Sequence, residues 1–322
     1  MSIIKDNNFK PNVFFKNKHI NTIYRHFVSK TEVNYERERM QTRDGDFLDL
    51  DKSLKNSNKL ILAIHGLEGS SDSTYIKSLV HSANNKGFDV IALNLRGCSG
   101  EQNKKLNSYH SGKTEDVWDV IQYINEKYSY EEINIVGYSL GGNLTLKFMG
   151  EFAEKLPKNI KSAVAISTPC DLKGSAYTLS KGFNKVYQYR FIKSLRKKSE
   201  EKFQLFPNNN LNENKILASK SFKEFDNYFT AKANGFKNAD DYWKKSSSKQ
   251  FIKFINKPTL LISALDDPFL NESCYPFEEA KNHKHFNFLP TKYGGHVGFY
   301  QNFNSKKNTW LNDTILNFIN KS

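Results

Sequence analysis

The sequence predicts an α/β fold: a mostly parallel central sheet, helices on both of its faces, and an inserted helical cap. Three observations carry that prediction. From Lys59 onward, short apolar runs alternate with amphipathic stretches of helical length. The apolar runs are nearly continuous rather than alternating, as strands buried on both faces require. The rhythm breaks once, between about Asp171 and Gln250, and then resumes. Repeated βα units of this kind build a parallel sheet sandwiched by helices. A chain of 322 residues can bury one large core, so a single domain over 1–322 is expected, with the cap at about 171–250.

The elements follow in order. "EVNYERERMQTRDGDFLDLD" alternates around Asp44-Gly45, the signature of an antiparallel hairpin. "KLILAIHG" reads as a buried strand, and "DSTYIKSLVHSANNKG" as a helix closed by Gly87. "FDVIALNLRG" is the next strand, and "KTEDVWDVIQYINEKY" carries apolar residues at helical spacing. Then come the strand "INIVGYS", the helix "GGNLTLKFMGEFAEKL" stopped before Pro157, and the strand "SAVAIST". In the break, aromatics and lysines mix with turns such as "PNNNLNENK" and helical patches dominate. The βα pattern returns with "PTLLISAL", "ESCYPFEEAKNH", "HFNFLPT" and a last helix near "NTWLNDTILNFIN". An insertion before the last strands of a parallel sheet is best placed over the strand ends.

Composition narrows the partners. The net charge is +14, which attracts nucleic acid, anionic lipid or an acidic substrate. No nucleic-acid motif accompanies it, and a lysine-rich solvated surface accounts for it, so no nucleic-acid partner is expected. The densest cluster, "RFIKSLRKK" (Arg190 to Lys198), is interleaved with Phe191, Ile192 and Leu195. It reads as an amphipathic surface helix packed on its own domain, and leaves room for weak association with an anionic membrane. Cys98, Cys170 and Cys274 are scattered and form no CxxC, which indicates neither a disulfide framework nor a zinc site. "MSIIKDNNFKPNVFF" lacks the apolar region of a secretory signal, and no run approaches the length of a membrane span; a cytoplasmic protein is expected. There is no G-x-x-x-x-G-K-[ST], no G-x-G-x-x-G in a βα turn and no H-E-x-x-H, so no nucleotide, organic cofactor or metal is expected.

The chemistry concentrates elsewhere. Gly137-Tyr138-Ser139-Leu140-Gly141 matches G-x-S-x-G between a predicted strand and a predicted helix, which exposes Ser139 on a sharp turn above the sheet. A serine hydroxyl needs a base, and the base needs a third group to hold it. "LLISALDDPFL" supplies Asp266 and Asp267 at one strand end, and "TKYGGHVGF" supplies His296 just after the next. Loops after parallel strands share one edge of the sheet, so all three groups emerge together. Asp267, just before Pro268, is the chosen acid, with Asp266 as the alternative; whichever does not serve could hold the loop by hydrogen bonding. Among the other histidines, His65 and His110 lie in motif-like loops, and His81, His283 and His285 read as helix or surface residues. The backbone N–H of Leu140, opening the helix, is placed to stabilise an oxyanion. The loop "HGLEGS" offers the N–H of Leu67 as the second donor, with His65 and Gly66 shaping its turn.

With these residues in place, the chain resembles the α/β-hydrolase superfamily, and within it the YheT-like branch of serine esterases. The closer likeness rests on "FKPNVFFKNKHINTIY", "TRDGDFLDLD", "IHGLEGSSDSTYI", "LNLRGCSGEQN", "YHSGKTEDV" and "GYSLGGNLTLKF". It continues through "FKEFDNYFTAKANGFKNADDYWKKSSS", "PTLLISALDDPF" and "YGGHVGF", and is weakest from Lys173 to Asn214. The resemblance implies Ser139 as nucleophile, Asp267 as acid and His296 as base. It also implies a small-molecule acyl ester as substrate, of short or lipid-like chain, since eukaryotic relatives of this branch act on lipid esters. Two rival readings remain: an acyltransferase using the same triad, and a non-catalytic binding protein on this fold.

Overall fold

The computed structural model describes residues 2–5, 8–28, 31–303 and 309–322, with only the backbone of Val28 and Thr309. Eight strands form one sheet: β1 (Glu36–Gln41), β2 (Phe47–Ser53), β3 (Lys59–Ile64), β4 (Asp89–Asn94), β5 (Glu132–Tyr138), β6 (Ile160–Ile166), β7 (Thr259–Ala264) and β8 (Phe286–Thr291). Their spatial order is β1-β2-β4-β3-β5-β6-β7-β8. β1 and β2 form the predicted hairpin and join β4 antiparallel, while all pairings from β4 to β8 are parallel. The chain leaves β3 toward β4 on one side and returns to β5 on the other. A crevice opens at such a reversal, above the carboxyl ends of β3 and β5.

Successive residues of β3 show why the central strands are apolar throughout. Leu60, Leu62 and Ile64 join one core and Ile61 and Ala63 the other. Helices α1 (Lys18–Val28), α2 (Thr74–Asn84), α3 (Thr114–Lys127) and α4 (Leu140–Glu151) precede the insertion. The first core packs under α3 and α4 through Val117, Ile121, Leu144 and Phe148. The second packs under α2 and the C-terminal helix through Ile76, Leu79, Ile315 and Ile319. Each such fully buried side chain contributes about 1.5–3 kcal/mol of transfer free energy. Near the hairpin, buried Arg96 bonds to Asp116 of α3 (2.7 and 2.8 Å) and to Asp44 and Asp46, tying the β1–β2 turn to the sheet.

Between β6 and β7 the chain forms α5 (Leu172–Leu179), α6 (Lys185–Leu205), α7 (Glu213–Leu217), α8 (Phe222–Phe225), α9 (Ala231–Ala233) and α10 (Ala239–Ser246). A π-turn, Asp226–Thr230, joins α8 to α9. After β7 come α11 (Phe277–Ala280) and, last, α12 (Thr309–Ile319). Among the described residues, no helix is long and apolar enough to cross a membrane.

Several extents differ from the sequence reading. "ESCYPFEEAKNH" yields a 3-10 turn, Glu272–Cys274, and the four-residue α11, because Pro276 at the N-cap of α11 interrupts a continuous helix. α4 ends at Glu151, six residues before Pro157, with a 3-10 turn between. Asn308, at the start of the predicted last helix, lies outside the described residues. The sequence reading assigns no element to α1, although Ile20, Ile23, Tyr24 and Phe27 fall at helical spacing, nor to residues 2–4, which pair with the outer edge of β8 through Ile4 N–H to Phe288 O (2.8 Å) and Phe288 N–H to Ser2 O (2.7 Å). That edge is thereby covered, and Pro290 is tolerated in it.

Candidate active site

β5 ends at Tyr138 and α4 starts at Leu140, so one residue makes the whole turn. Ser139 takes φ 54° and ψ −116°, a conformation that costs a non-glycine residue about 1–3 kcal/mol. The positive φ falls on the serine itself. The flanking glycines serve close approach instead: a Cβ at Gly141 would collide with the carbonyls of Ile64 and His65, and one at Gly137 with that of Gly141. Ser139 N–H donates to Ile166 O (2.8 Å) and its carbonyl accepts from Asn143 N–H (3.0 Å), which pins the strained turn to β6 and α4.

The structure brings Ser139, His296 and Asp267 into one line. Ser139 Oγ lies 2.9 Å from His296 Nε2. On the far side of the ring, His296 Nδ1 lies 2.8 Å from Asp267 Oδ2 and 3.1 Å from Oδ1. Asp267 and His296 are buried while Ser139 is half-buried at a cavity wall. Asp267 Oδ1 also accepts from Phe269 N–H (2.8 Å). Asp266 points elsewhere: its Oδ1 accepts from Gly295 N–H (3.0 Å), and burial pushes its carboxyl up to about 6.

Residues the sequence did not single out hold this line. The Phe269 ring stacks on the His296 imidazole, centroids 4.0 Å apart and 25° from parallel. His296 N–H donates to Thr22 Oγ1 (2.9 Å), and Val297 N–H to Ser167 Oγ (2.9 Å). A Cβ at Gly295 would strike Thr22, so α1 packs directly against the histidine loop. The one signal for this contact was the N-terminal segment "FKPNVFFKNKHINTIY", whose place in the resemblance had no local explanation.

Leu67 and Leu140 both line the cavity beside Ser139. The N–H of Leu140 is in the first turn of α4, where no helical acceptor exists. The two amides flanking Leu67 are engaged: Gly66 N–H donates to Tyr75 Oη (2.9 Å) and Glu68 N–H to Tyr109 Oη (3.0 Å). Glu68, at φ 55°, is clasped from three sides. Its carboxylate accepts from Tyr109 Oη (2.7 Å) and from the Ser194 hydroxyl, and pairs with Lys198 (3.1 Å). Ser194 and Lys198 belong to α6, so the insertion grips the loop that carries Leu67.

The other loop histidines are structural in their contacts. Buried His65 lies between Gly66 O (2.7 Å from Nδ1) and Leu95 N–H (3.1 Å from Nε2), and burial lowers it to about 4. His110, likewise buried, accepts from Gly112 N–H (3.1 Å) and is lowered to about 3. A neutral imidazole is the form these sites favour. Away from Ser139, the cavity is walled by apolar side chains of the insertion, among them Leu172, Leu179, Phe225 and Trp243. One carboxylate sits among them. Asp226 accepts from Thr230 Oγ1 (2.7 Å) and Trp243 Nε1 (2.8 Å), and burial pushes it up to about 6.

A family profile described as "alpha/beta hydrolase fold" matches residues 59–303. The protein named "Putative esterase YheT" of Escherichia coli (strain K12) is 32% identical over 317 residues, covering 97% of this chain and 92% of that one. This chain belongs to the alpha/beta-hydrolase family, in its YheT-like branch. Phospholipase ABHD3 of Bos taurus is 27% identical over 308 residues, 92% of this hydrolase and 74% of that protein. Among solved structures, the Pyrococcus furiosus esterase Pf2001 superposes with a TM-score of 0.60 at 17% identity, covering 89% of this hydrolase and 92% of the esterase. That likeness is one of fold. The family assignment makes the protein a hydrolase of esterase or lipase type.

Proposed function

We propose that this hydrolase cleaves carboxylic esters through an acyl-enzyme on Ser139. The observation that carries the reading is the continuous hydrogen-bonded line Ser139–His296–Asp267 at the wall of an apolar cavity. His296 Nε2 takes the Oγ proton as Oγ bonds to the ester carbonyl carbon. The carbonyl oxygen becomes an oxyanion facing the N–H groups of Leu140 and Leu67. When the C–O bond to the alcohol breaks, the Nε2 proton goes to the departing oxygen. Water then gives a proton to Nε2 and its oxygen to the acyl carbon, and the same proton returns to Oγ as the acid leaves. Throughout, Nδ1–H stays on Asp267, which orients the ring and stabilises its cationic form.

The insertion serves as a cap, and its apolar wall suits the acyl portion of a lipid-like or short-chain ester. The name of the ABHD3 relative, a phospholipase, is in keeping with that chemistry. The test is labelling by a fluorophosphonate together with hydrolysis of p-nitrophenyl esters of graded chain length. Labelling and turnover are both expected, and Ser139→Ala should lose both. Folded protein that resists the label, or an alanine variant with unchanged turnover, overturns the proposal.

A further inference from the structure

The outer side of α6 and its neighbour α1 has a character that catalysis does not use. α6 turns Gln188, Ile192, Ser199 and Phe203 inward. Its opposite stripe, at i, i+3, i+4, i+7 spacing, is Val186, Tyr189, Arg190 and Lys193, all exposed. Val186 is 57% and Tyr189 66% exposed, and Phe183, in the turn before them, 60%. α1 runs alongside: His19 Nδ1 lies 3.1 Å from Tyr187 Oη, and the His19 ring is 4.5 Å from that of Phe183. Its own outward residues include Phe27, 78% exposed, one turn from Ile23 at 40%. Large apolar side chains scattered singly need no explanation; five on α1, α6 and the turn before α6 do.

The charge on the first half of this face is of one sign, and the first acid of α6 is Glu200, at the far end of the stripe. From Lys185 to Ser199 there are six Lys and Arg and no acid, and from Lys18 to Val28 there are Lys18 and Arg25 and no acid. Of the six, Lys198 pairs with Glu68, but among the described residues Arg190 and Lys193 have no ion-pair partner. Arg25 is not part of this exposed charge: its Nε and Nη1 are shut off from solvent, and its guanidinium lies over the Tyr75 ring, 5.2 Å from the centroid. Arg190 and Lys193 therefore lack counter-charges of their own. The face also adjoins the reaction site: the Tyr187 ring is 4.9 Å from Phe269, which stacks on His296.

From the exposed aromatic and aliphatic stripe, the unpaired cations beside it and their position next to the His296 loop, we infer that the α1–α6 face docks on an anionic lipid bilayer. Phe27, Phe183, Val186 and Tyr189 would enter the headgroup boundary while Arg190 and Lys193 meet lipid phosphates. Docking there would bring α6, which walls the cavity through Phe191 and Leu195, against the membrane, where a lipid-like ester resides. The inference rests on the ester-hydrolase reading for its purpose but not for its test.

The experiment is co-sedimentation of the full chain with phosphatidylcholine vesicles, with and without 30 mol% phosphatidylglycerol. Binding is expected only with the anionic lipid, and should weaken strongly between low and high salt. The double variant R190E/K193E should bind at least ~20-fold more weakly, since each Lys or Arg near an anionic surface is worth roughly a fivefold change and both charges are reversed. V186S/Y189S should also weaken vesicle binding while leaving attraction to heparin unchanged. Circular dichroism melting verifies that each variant is folded. Absent binding by folded protein, equal binding to neutral vesicles, or undiminished binding by either double variant overturns the inference. Fluorophosphonate labelling without lipid reads the chemistry alone. Lost labelling with intact vesicle binding sinks the ester-hydrolase reading and not the docking face; the converse result sinks the docking face only.

Discussion

Replacing Asp267 with asparagine is the most searching perturbation of the proposed mechanism, because the geometry dictates how it fails. Asp267 Oδ1 accepts from Phe269 N–H at 2.8 Å and Oδ2 lies 2.8 Å from His296 Nδ1. An amide has one acceptor oxygen where the carboxylate has two. If that oxygen keeps the Phe269 N–H, the NH2 group faces Nδ1, which must then be unprotonated. The ring proton moves to Nε2, against Ser139 Oγ, and the base can no longer take the serine proton. If the amide turns over, two buried donors oppose each other at Phe269. The second arrangement keeps the productive tautomer but buries two opposed donors, so the first prevails, at a cost of about a thousandfold to ten-thousandfold in kcat, or roughly 4–5 kcal/mol in the barrier. The assay is kcat for a p-nitrophenyl ester, with thermal melting to verify the fold and Asp266→Asn as control. Asp266 bonds to the histidine loop through Gly295 N–H and not to the imidazole, so its variant should stay within about tenfold of the parent. An Asp267→Asn enzyme within tenfold of the parent, or an Asp266→Asn enzyme crippled in its place, refutes the reasoning.

Two further outcomes follow from groups near the cavity. Asp226 is held at about 6 in the folded protein, chiefly by burial, against an ordinary 3.8. The folded state therefore binds the proton more tightly, and stability from this group falls as pH rises from about 4 to 6, by up to about 3 kcal/mol. Asp226→Asn can keep both partners, since its oxygen accepts from Trp243 and the Thr230 hydroxyl can turn to accept. Urea unfolding should show the variant gaining on the parent between pH 4.5 and 7, whereas a difference flat with pH refutes the assignment. Glu68→Gln loosens the clasp of Tyr109, Ser194 and Lys198 on the loop that carries Leu67. A fall of about tenfold in kcat with KM little changed is expected, less than the hundredfold to thousandfold loss of a whole oxyanion donor. A change in KM alone would mean that Glu68 does not position that N–H.

The sequence by itself determined the layered architecture and the meeting of three side chains. Continuous apolar runs, helical spacings and the Asp44-Gly45 turn are local signals, and they specify strands and helices because burial and turn geometry act over a few residues. Ser139, His296 and the pair Asp266–Asp267 were legible for a related reason. Each follows a parallel strand, and parallel strands deliver their ends to one edge whatever the details of packing. Only the tertiary structure decided which of two adjacent aspartates faces the imidazole, since a one-residue shift after β7 sends the side chains to Gly295 or to His296. It also decided that Thr22, 274 residues away in the chain, receives the His296 amide, that Phe269 stacks on the ring, and that α6 reaches across to hold Glu68. Contacts of that kind have no period and no local signature. They exist because close packing brings distant surfaces together, and their partners are chosen by shape and hydrogen-bond satisfaction in the folded molecule.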